Sequence, residues 1–224
     1  MIKAFIFDVG GTLVKTDSAI LEALHQALAG EGILFRNEKE VVNVFGQGQL
    51  KNVHTAVVGS YDGTNVDEKI KVCFTSFQRI FPSYVMDQFV IINHVREGLE
   101  QLQQRGMRLV VLTGFDTRET AFFLERMRLQ QYFDIVLSAE DIVLHRPDPQ
   151  GLVVALQRLG LMRDEVLYVG DAMVDIQFAR NAGIKVVCVK TGAQDNALLE
   201  KEKPDYLVDN LKEMIALLLD REKI

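Results

Sequence analysis

Residues 2–7, IKAFIF, are β-rich and apolar almost throughout, the pattern of a strand buried on both faces. From Asp17 to about Tyr84 no strand signal appears, and apolar residues recur at helical spacing instead. Asp17 is placed to cap a helix whose apolar face is Ile20, Leu21, Leu24 and Leu28, stopped at Gly30. Asn37 can cap a second helix, and Thr64-x-x-Asp67 reads as a capping box opening a third, with Ile70, Cys73, Phe74, Phe77 and Phe81 on one stripe. From Arg96 helix and strand alternate: EGLEQLQQRG then RLVVL, TRETAFFLERMRL then FDIVL, GLVVALQRLG then EVLYVG, IQFARNAG then KVVCV. YLV at 206–208 reads as a last strand and LKEMIALLLD as a closing helix. Alternation with short connections predicts an α/β fold, a parallel sheet with right-handed crossovers, carrying a helical insert of about 80 residues. No internal repeat or low-complexity tract interrupts it.

Composition narrows the function classes. The 224 residues suit one ordinary domain plus a smaller one, and 48% hydrophobic with 25% charged residues is a globular balance. A formal charge of -6 disfavours nucleic acid or an anionic membrane as a general partner, so any anion site must rest on local positive charge. No apolar run is long enough to span a bilayer, and Met1 leads straight into the first strand, so the expectation is a cytoplasmic protein. Cys73 and Cys188 each sit inside an apolar pattern and read as buried free thiols.

Four segments carry the chemistry. FIFDVGGTL at 5–13, LVVLTG at 109–114, HRPDP at 145–149 and YVGDAMVD at 168–175 each end on small or acidic residues where an apolar run stops. In an open parallel sheet, ligands bind at the carboxyl ends of the strands, and Asp8, Thr113 and Asp171 all fall there. Asp8 precedes the turn Val9-Gly10-Gly11-Thr12, whose small residues let backbone N–H groups face an anion. A carboxylate so placed can attack phosphorus. Nucleophile and substrate would both be anionic, so a cation must screen them, and Asp171 and Asp175 offer hard oxygen ligands suited to Mg²⁺. Each segment is weak alone; in this order, at strand ends, they read as one phosphoryl-transfer site. The GQG at 46–48 follows no strand and is not a dinucleotide signal, and His25, His94 and His145 read as solvated or core residues.

The series resembles that of the haloacid dehalogenase-like hydrolase superfamily, from the first strand to the last quarter of the chain. The resemblance implies a Rossmann-like three-layer core over 1–14 and 96–224, with an α-helical cap domain inserted at 15–95. It also implies that Asp8 is a nucleophile forming an aspartyl-phosphate. Mg²⁺ would be held by Asp8, the backbone carbonyl of Gly10, Asp171 and Asp175, and the phosphoryl oxygens by Thr113, Gly114 and Arg146. Gly10 and Arg146 are departures: phosphatases of the superfamily carry a second aspartate at the first position, and the second is usually lysine. That aspartate protonates the leaving alkoxide and then activates water, a contribution of about 10²–10⁴-fold. Three routes remain with glycine there: a better leaving group, an acid or base supplied by the cap, or no catalysis.

The phosphonatase branch, that of phosphonoacetaldehyde hydrolase, is similar in its small residue at position 10, its arginine at 146 and its threonine-glycine turn followed by Thr117-Arg118-Glu119, with Asp116 an extra residue here. It also has a cap lysine and a histidine three residues on, matched by Lys51 and His54, which three-residue spacing puts on one helix face. A methionine of that branch is replaced by Gln47. There the lysine forms a Schiff base with the substrate aldehyde and the histidine assists proton transfer. The expectation is a Mg²⁺-dependent hydrolase of a small phosphorylated or phosphonate metabolite, phosphonatase-like, as monomer or homodimer. The alternatives are a phosphatase or pyrophosphatase on a small phosphate with a good leaving group and, in another class, a protein that binds a phosphate ligand without turnover.

Overall fold

The computed structural model describes residues 1–219. In chain order the elements are β1 (Ala4–Phe7), β2 (Val14–Lys15), α1 (Asp17–Ala29), α2 (Glu38–Val42), α3 (Gln49–Val58), α4 (Val66–Gln88), β3 (Val90–Ile91), α5 (Val95–Gln104) and β4 (Arg108–Leu112). They continue with α6 (Thr117–Arg126), β5 (Ile135–Leu137), α7 (Gln150–Leu159), β6 (Val166–Gly170), α8 (Met173–Ala182), β7 (Lys185–Val189), α9 (Asn196–Glu202), β8 (Tyr206–Val208) and α10 (Leu211–Leu219). Asp220, the last residue of the expected closing helix, lies outside the described residues, as does the rest of 220–224.

Six strands form one parallel sheet in the order β5-β4-β1-β6-β7-β8. Successive side chains of a strand point to opposite faces, and the two halves of the core follow that alternation. Phe5, Phe7, Leu109, Val111, Leu167, Val169, Val187 and Val189 belong to one buried cluster. Their neighbours Ala4, Ile6, Val110, Leu112, Val166, Tyr168, Val186 and Cys188 belong to the other. Both faces are therefore covered, which is why these strands read as continuous apolar runs rather than alternating ones. Each fully buried large side chain contributes about 1.5–3 kcal/mol. The apolar faces of α1, α3 and α4 join the first cluster through residues such as Leu24, Leu28, Val53, Val57, Phe77 and Phe81.

Several elements begin elsewhere than the pattern predicts. Thr16 is the N-cap of α1 and Asp17 its first residue. The long third helix opens after Asn65 without a side-chain cap, so the box expected from Thr64 and Asp67 is not formed. The helical stretch also contains α3 as a separate element, entered through Gly48 at φ 100, in the left-handed region that favours glycine. Strands β2 and β3 pair antiparallel where the chain leaves and re-enters the core. Two residues apiece are too few to show a period of two.

Candidate active site

Parallel register brings the site together. Phe7 of β1 is paired with Val111 of β4 on one side and Val169 of β6 on the other, so Asp8, Thr113 and Asp171 leave neighbouring strands at the same edge. The backbone N–H of Asp8 still donates to the Val169 carbonyl, 2.9 Å, which holds the carboxylate at the sheet's end. Sheet order reverses about β1, the switch point at which open α/β sheets bind ligands.

Asp8, Asp171 and Asp175 are all buried, with carboxylate oxygens within 4.8 Å of one another. Thr12 donates its hydroxyl to Asp171 Oδ1 at 2.8 Å. Asp171 leaves no room for a side chain at Gly11, which has φ +76, or at Gly192: a Cβ on either would collide with its carboxylate. Asp175 is more fully engaged: Oδ1 accepts from Tyr168 Oη and Arg146 Nη1, both at 2.8 Å, and Oδ2 accepts from the backbone N–H groups of Asp171 and Ala172 at 3.1 and 3.0 Å. The Arg146 guanidinium, only 7% exposed, also pairs with Asp8 Oδ1 at 2.8 Å and donates to the Leu112 carbonyl. It lies 5.7 Å from the Tyr168 ring and 5.3 Å from that of Phe178. Arg146 is thus no surface ion pair but a buried clamp joining the ends of β1 and β4 to the first turn of α8.

Charge follows from this packing. Burial pushes the Asp8 carboxyl up to about 6, against the opposing pull of Arg146, and the Asp175 charge adds to the rise. Burial also holds Asp171 well above the usual carboxylate range, with Asp175 and Asp8 reinforcing it and the Thr12 hydroxyl opposing. Burial works against the charge of Arg146, yet Asp8, Tyr168 and Asp175 outweigh it and hold its pKa above the ordinary value. Three carboxylates against one guanidinium leave a formal charge of about -2 when all are ionised, a poor situation in low dielectric unless a cation joins them. Hard oxygen donors at this spacing can hold a divalent metal.

A cavity enclosing about 650 Å³, open to solvent, lies over this cluster. Asp8, Gly10, Thr113, Gly114, Arg146, Asp171 and Asp175 line it, so the structure gathers seven of the nine expected site residues. Lys51 and His54 are not among them: both are exposed on α3. The side chains that α3 sends to the cavity are Gln49 and Asn52. Gln49 donates to both carboxylate oxygens of Glu119, which completes the capping box of α6 with Asp116, at 3.1 and 3.2 Å. Asn52 is buried and its Oδ1 has no hydrogen-bond partner among the described residues. Such an acceptor costs about 1–3 kcal/mol until something donates to it. Ile20, Phe45, Phe81 and Phe115 supply the apolar lining. Thr12, Thr16, Asp17, Gln49, Asn52, Phe115 and Tyr168 escape a reading of motifs, because nothing local separates a residue facing a cavity from one facing the core.

Comparison with known proteins agrees with the fold. The profile of the haloacid dehalogenase-like hydrolases matches residues 5–189, so the chain belongs to that family and is an enzyme of the hydrolase class. It is 27% identical over 218 residues to a phosphoglycolate phosphatase of Pectobacterium atrosepticum, covering 97% of this chain and 92% of that one. It is also 27% identical over 219 residues to the pyrophosphatase PpaX of Bacillus mycoides, covering 97% of each. Among solved structures, one described as a predicted phosphoglycolate phosphatase from Haemophilus somnus superposes with a TM-score of 0.88 at 23% identity, over 97% of this chain and 98% of the other, a likeness of fold. These relatives carry phosphatase and pyrophosphatase names, so the expected membership of the phosphonatase branch gives way to the coarser family. Among the described residues no helix is long and apolar enough to cross a membrane.

Proposed function

We propose that the protein is a Mg²⁺-dependent phosphatase or pyrophosphatase of a small phosphate compound, working through an aspartyl-phosphate on Asp8. The observation that carries this reading is the buried cluster of Asp8, Asp171 and Asp175, clamped by Arg146 beneath a cavity that Thr113 and Gly114 also line. Asp8, the backbone carbonyl of Gly10, Asp171 and Asp175 would hold the metal, which when bound screens the nucleophile from the phosphoryl group. Arg146 and the Thr113–Gly114 turn orient the phosphoryl oxygens, and Asp8 supplies the attacking oxygen. The helical stretch 15–95 acts as the cap, its α3 and α1 residues facing the substrate's other end.

Exposure of Lys51 and His54 favours this reading over carbon–phosphorus cleavage, since Schiff-base chemistry needs the lysine inside the cavity. The names of the two relatives supply the first substrates to try. Phosphate release should be measured from phosphoglycolate, inorganic pyrophosphate and phosphonoacetaldehyde, each with and without Mg²⁺. Turnover of either of the first two that depends on the metal is expected. Turnover confined to phosphonoacetaldehyde, or none with any small phosphate, would overturn the proposal.

A further inference from the structure

Gly10 leaves the site without the second carboxylate of the family's phosphatases, and a side chain there would have to displace its neighbours. A Cβ at Gly10 would sit 2.9 Å from Thr16 Oγ1 and 3.4 Å from the Phe115 ring, so the space is already taken. The residue after Thr16 is an aspartate. Four aspartates line the cavity, and Asp17 is the one outside the buried cluster. Among the described residues it has no ion pair; its carboxyl takes a hydrogen bond from its own backbone N–H. Half-buried at the first turn of α1, it is held by the helix rather than by a flexible loop.

We propose that Asp17 is the general acid and base of the reaction, supplied from α1 in place of the residue missing at position 10. The inference rests on the phosphatase reading above. In the first half, an Asp8 carboxylate oxygen attacks phosphorus and the bond from phosphorus to the leaving oxygen breaks. That oxygen keeps the electron pair and takes the proton of the Asp17 carboxyl, so an alcohol leaves. In the second half, Asp17 carboxylate removes a proton from water as the water oxygen attacks phosphorus. The bond from phosphorus to Asp8 breaks with its electrons returning to the carboxylate, and phosphate departs. The sum is ester plus water to alcohol plus phosphate, with Asp8 and Asp17 restored.

The surroundings favour the protonated form of this acid. Burial raises the Asp17 pKa, only partly opposed by Lys15 beside it in the chain. The other charges of the cavity are Asp8, Asp171, Asp175 and Arg146. From the helices packed on α1 the lining residues are Gln49, Asn52 and Phe81, none charged, with Glu119 bound behind Gln49.

Leaving-group dependence tests the assignment. In Asp17→Asn, steady-state hydrolysis of an alkyl phosphate should fall by about 10²–10⁴-fold. The first-turnover release of 4-nitrophenolate from 4-nitrophenyl phosphate, which needs no proton, should change by less than about threefold. Because the second half also slows, phosphorylated Asp8 should accumulate in the variant and be seen by mass spectrometry of its peptide after acid quench. Asp17→Glu, which keeps a carboxyl, should recover part of the alkyl phosphate rate and shift the pH profile. An equal loss for both leaving groups, an unchanged alkyl phosphate rate, or no phosphorylated Asp8 in Asp17→Asn would overturn the assignment. Failure of the wild type to hydrolyse any phosphate ester with Mg²⁺ would instead overturn the phosphatase reading itself.

Discussion

The two ends of the cavity are built on different principles. At the strand end, nearly every polar atom has a partner: Asp175 accepts four hydrogen bonds, Arg146 joins two strand ends to α8, and Asp171 is fixed by Thr12 and by two glycines that leave it room. At the helix end, among the described residues, Asp17 has no ion pair and the Asn52 oxygen has no partner, although both line the same space. Preorganisation at the first end suits a group every substrate shares, the phosphoryl group. The unsatisfied Asn52 oxygen at the second suits the part that differs among substrates, since there a ligand completes the bonding. The phosphoryl end should therefore tolerate almost no change, and the helix end should respond according to the substrate offered.

The largest effect should come from the best-satisfied end. Asp8→Asn keeps the size and removes the attacking oxygen, so kcat should fall by about 10⁴-fold or more with the circular dichroism spectrum unchanged. A variant retaining a tenth of the wild-type rate would remove Asp8 from the chemistry.

Metal binding should separate the ends next. Mg²⁺ at about 100 times its Kd should stabilise the wild type by about 2.7 kcal/mol, raising Tm, and Asp171→Asn should lose most of that gain. The pH dependence has a definite sign. Asp8 is raised to about 6, so the metal-free fold binds a proton that the unfolded chain gives up near 3.8. The Asp8 contribution to metal-free stability should thus be greatest below about pH 4 and be lost as pH rises through 6. Protons compete with the metal, so Mg²⁺ affinity should weaken as pH drops through 6. Calorimetric titration between pH 5 and about 8 reads this directly, and a flat affinity would contradict it.

A smaller effect concerns the filled slot beside Gly10. Gly10→Asp alone should destabilise the protein by about 1–3 kcal/mol without raising phosphatase activity, because Thr16 and Phe115 occupy the space. Adding Thr16→Ala should restore stability beyond additivity in a double-mutant cycle. An additive cycle would show that the two sites do not share that space. The smallest effect should be that of Lys51→Arg. With Lys51 exposed outside the cavity lining, kcat/KM for phosphoglycolate and pyrophosphate should stay within about twofold of wild type. A loss beyond tenfold would return the lysine to the site.

Much of the strand end of the cavity was legible before any coordinates. Chain order at strand ends places Asp8, Thr113 and Asp171 together, because a parallel sheet presents all its carboxyl ends on one edge. Continuous apolar runs likewise reveal strands covered on both faces, and the alternation after Arg96 matches the elements found from α5 to α10. Local rules did less well at the helical insert. Thr64 and Asp67 have the spacing of a capping box, but packing starts α4 at Val66 instead. Lys51 and His54 do share a helix face by spacing, yet spacing cannot say which face meets the cavity. That was decided by burial of Asn52, Val53, Ala56 and Val57, which turns Lys51 and His54 to solvent. The sequence by itself determined the fold class and the strand-end carboxylates, because those follow from local period and chain order, and its motif series carried the resemblance to the family. Only the tertiary structure decided that Arg146 is buried between Asp8 and Asp175, that Thr16 fills the slot beside Gly10, and that Asp17 reaches the cavity. These depend on how distant helices and loops pack over the sheet, and no local pattern encodes that contact.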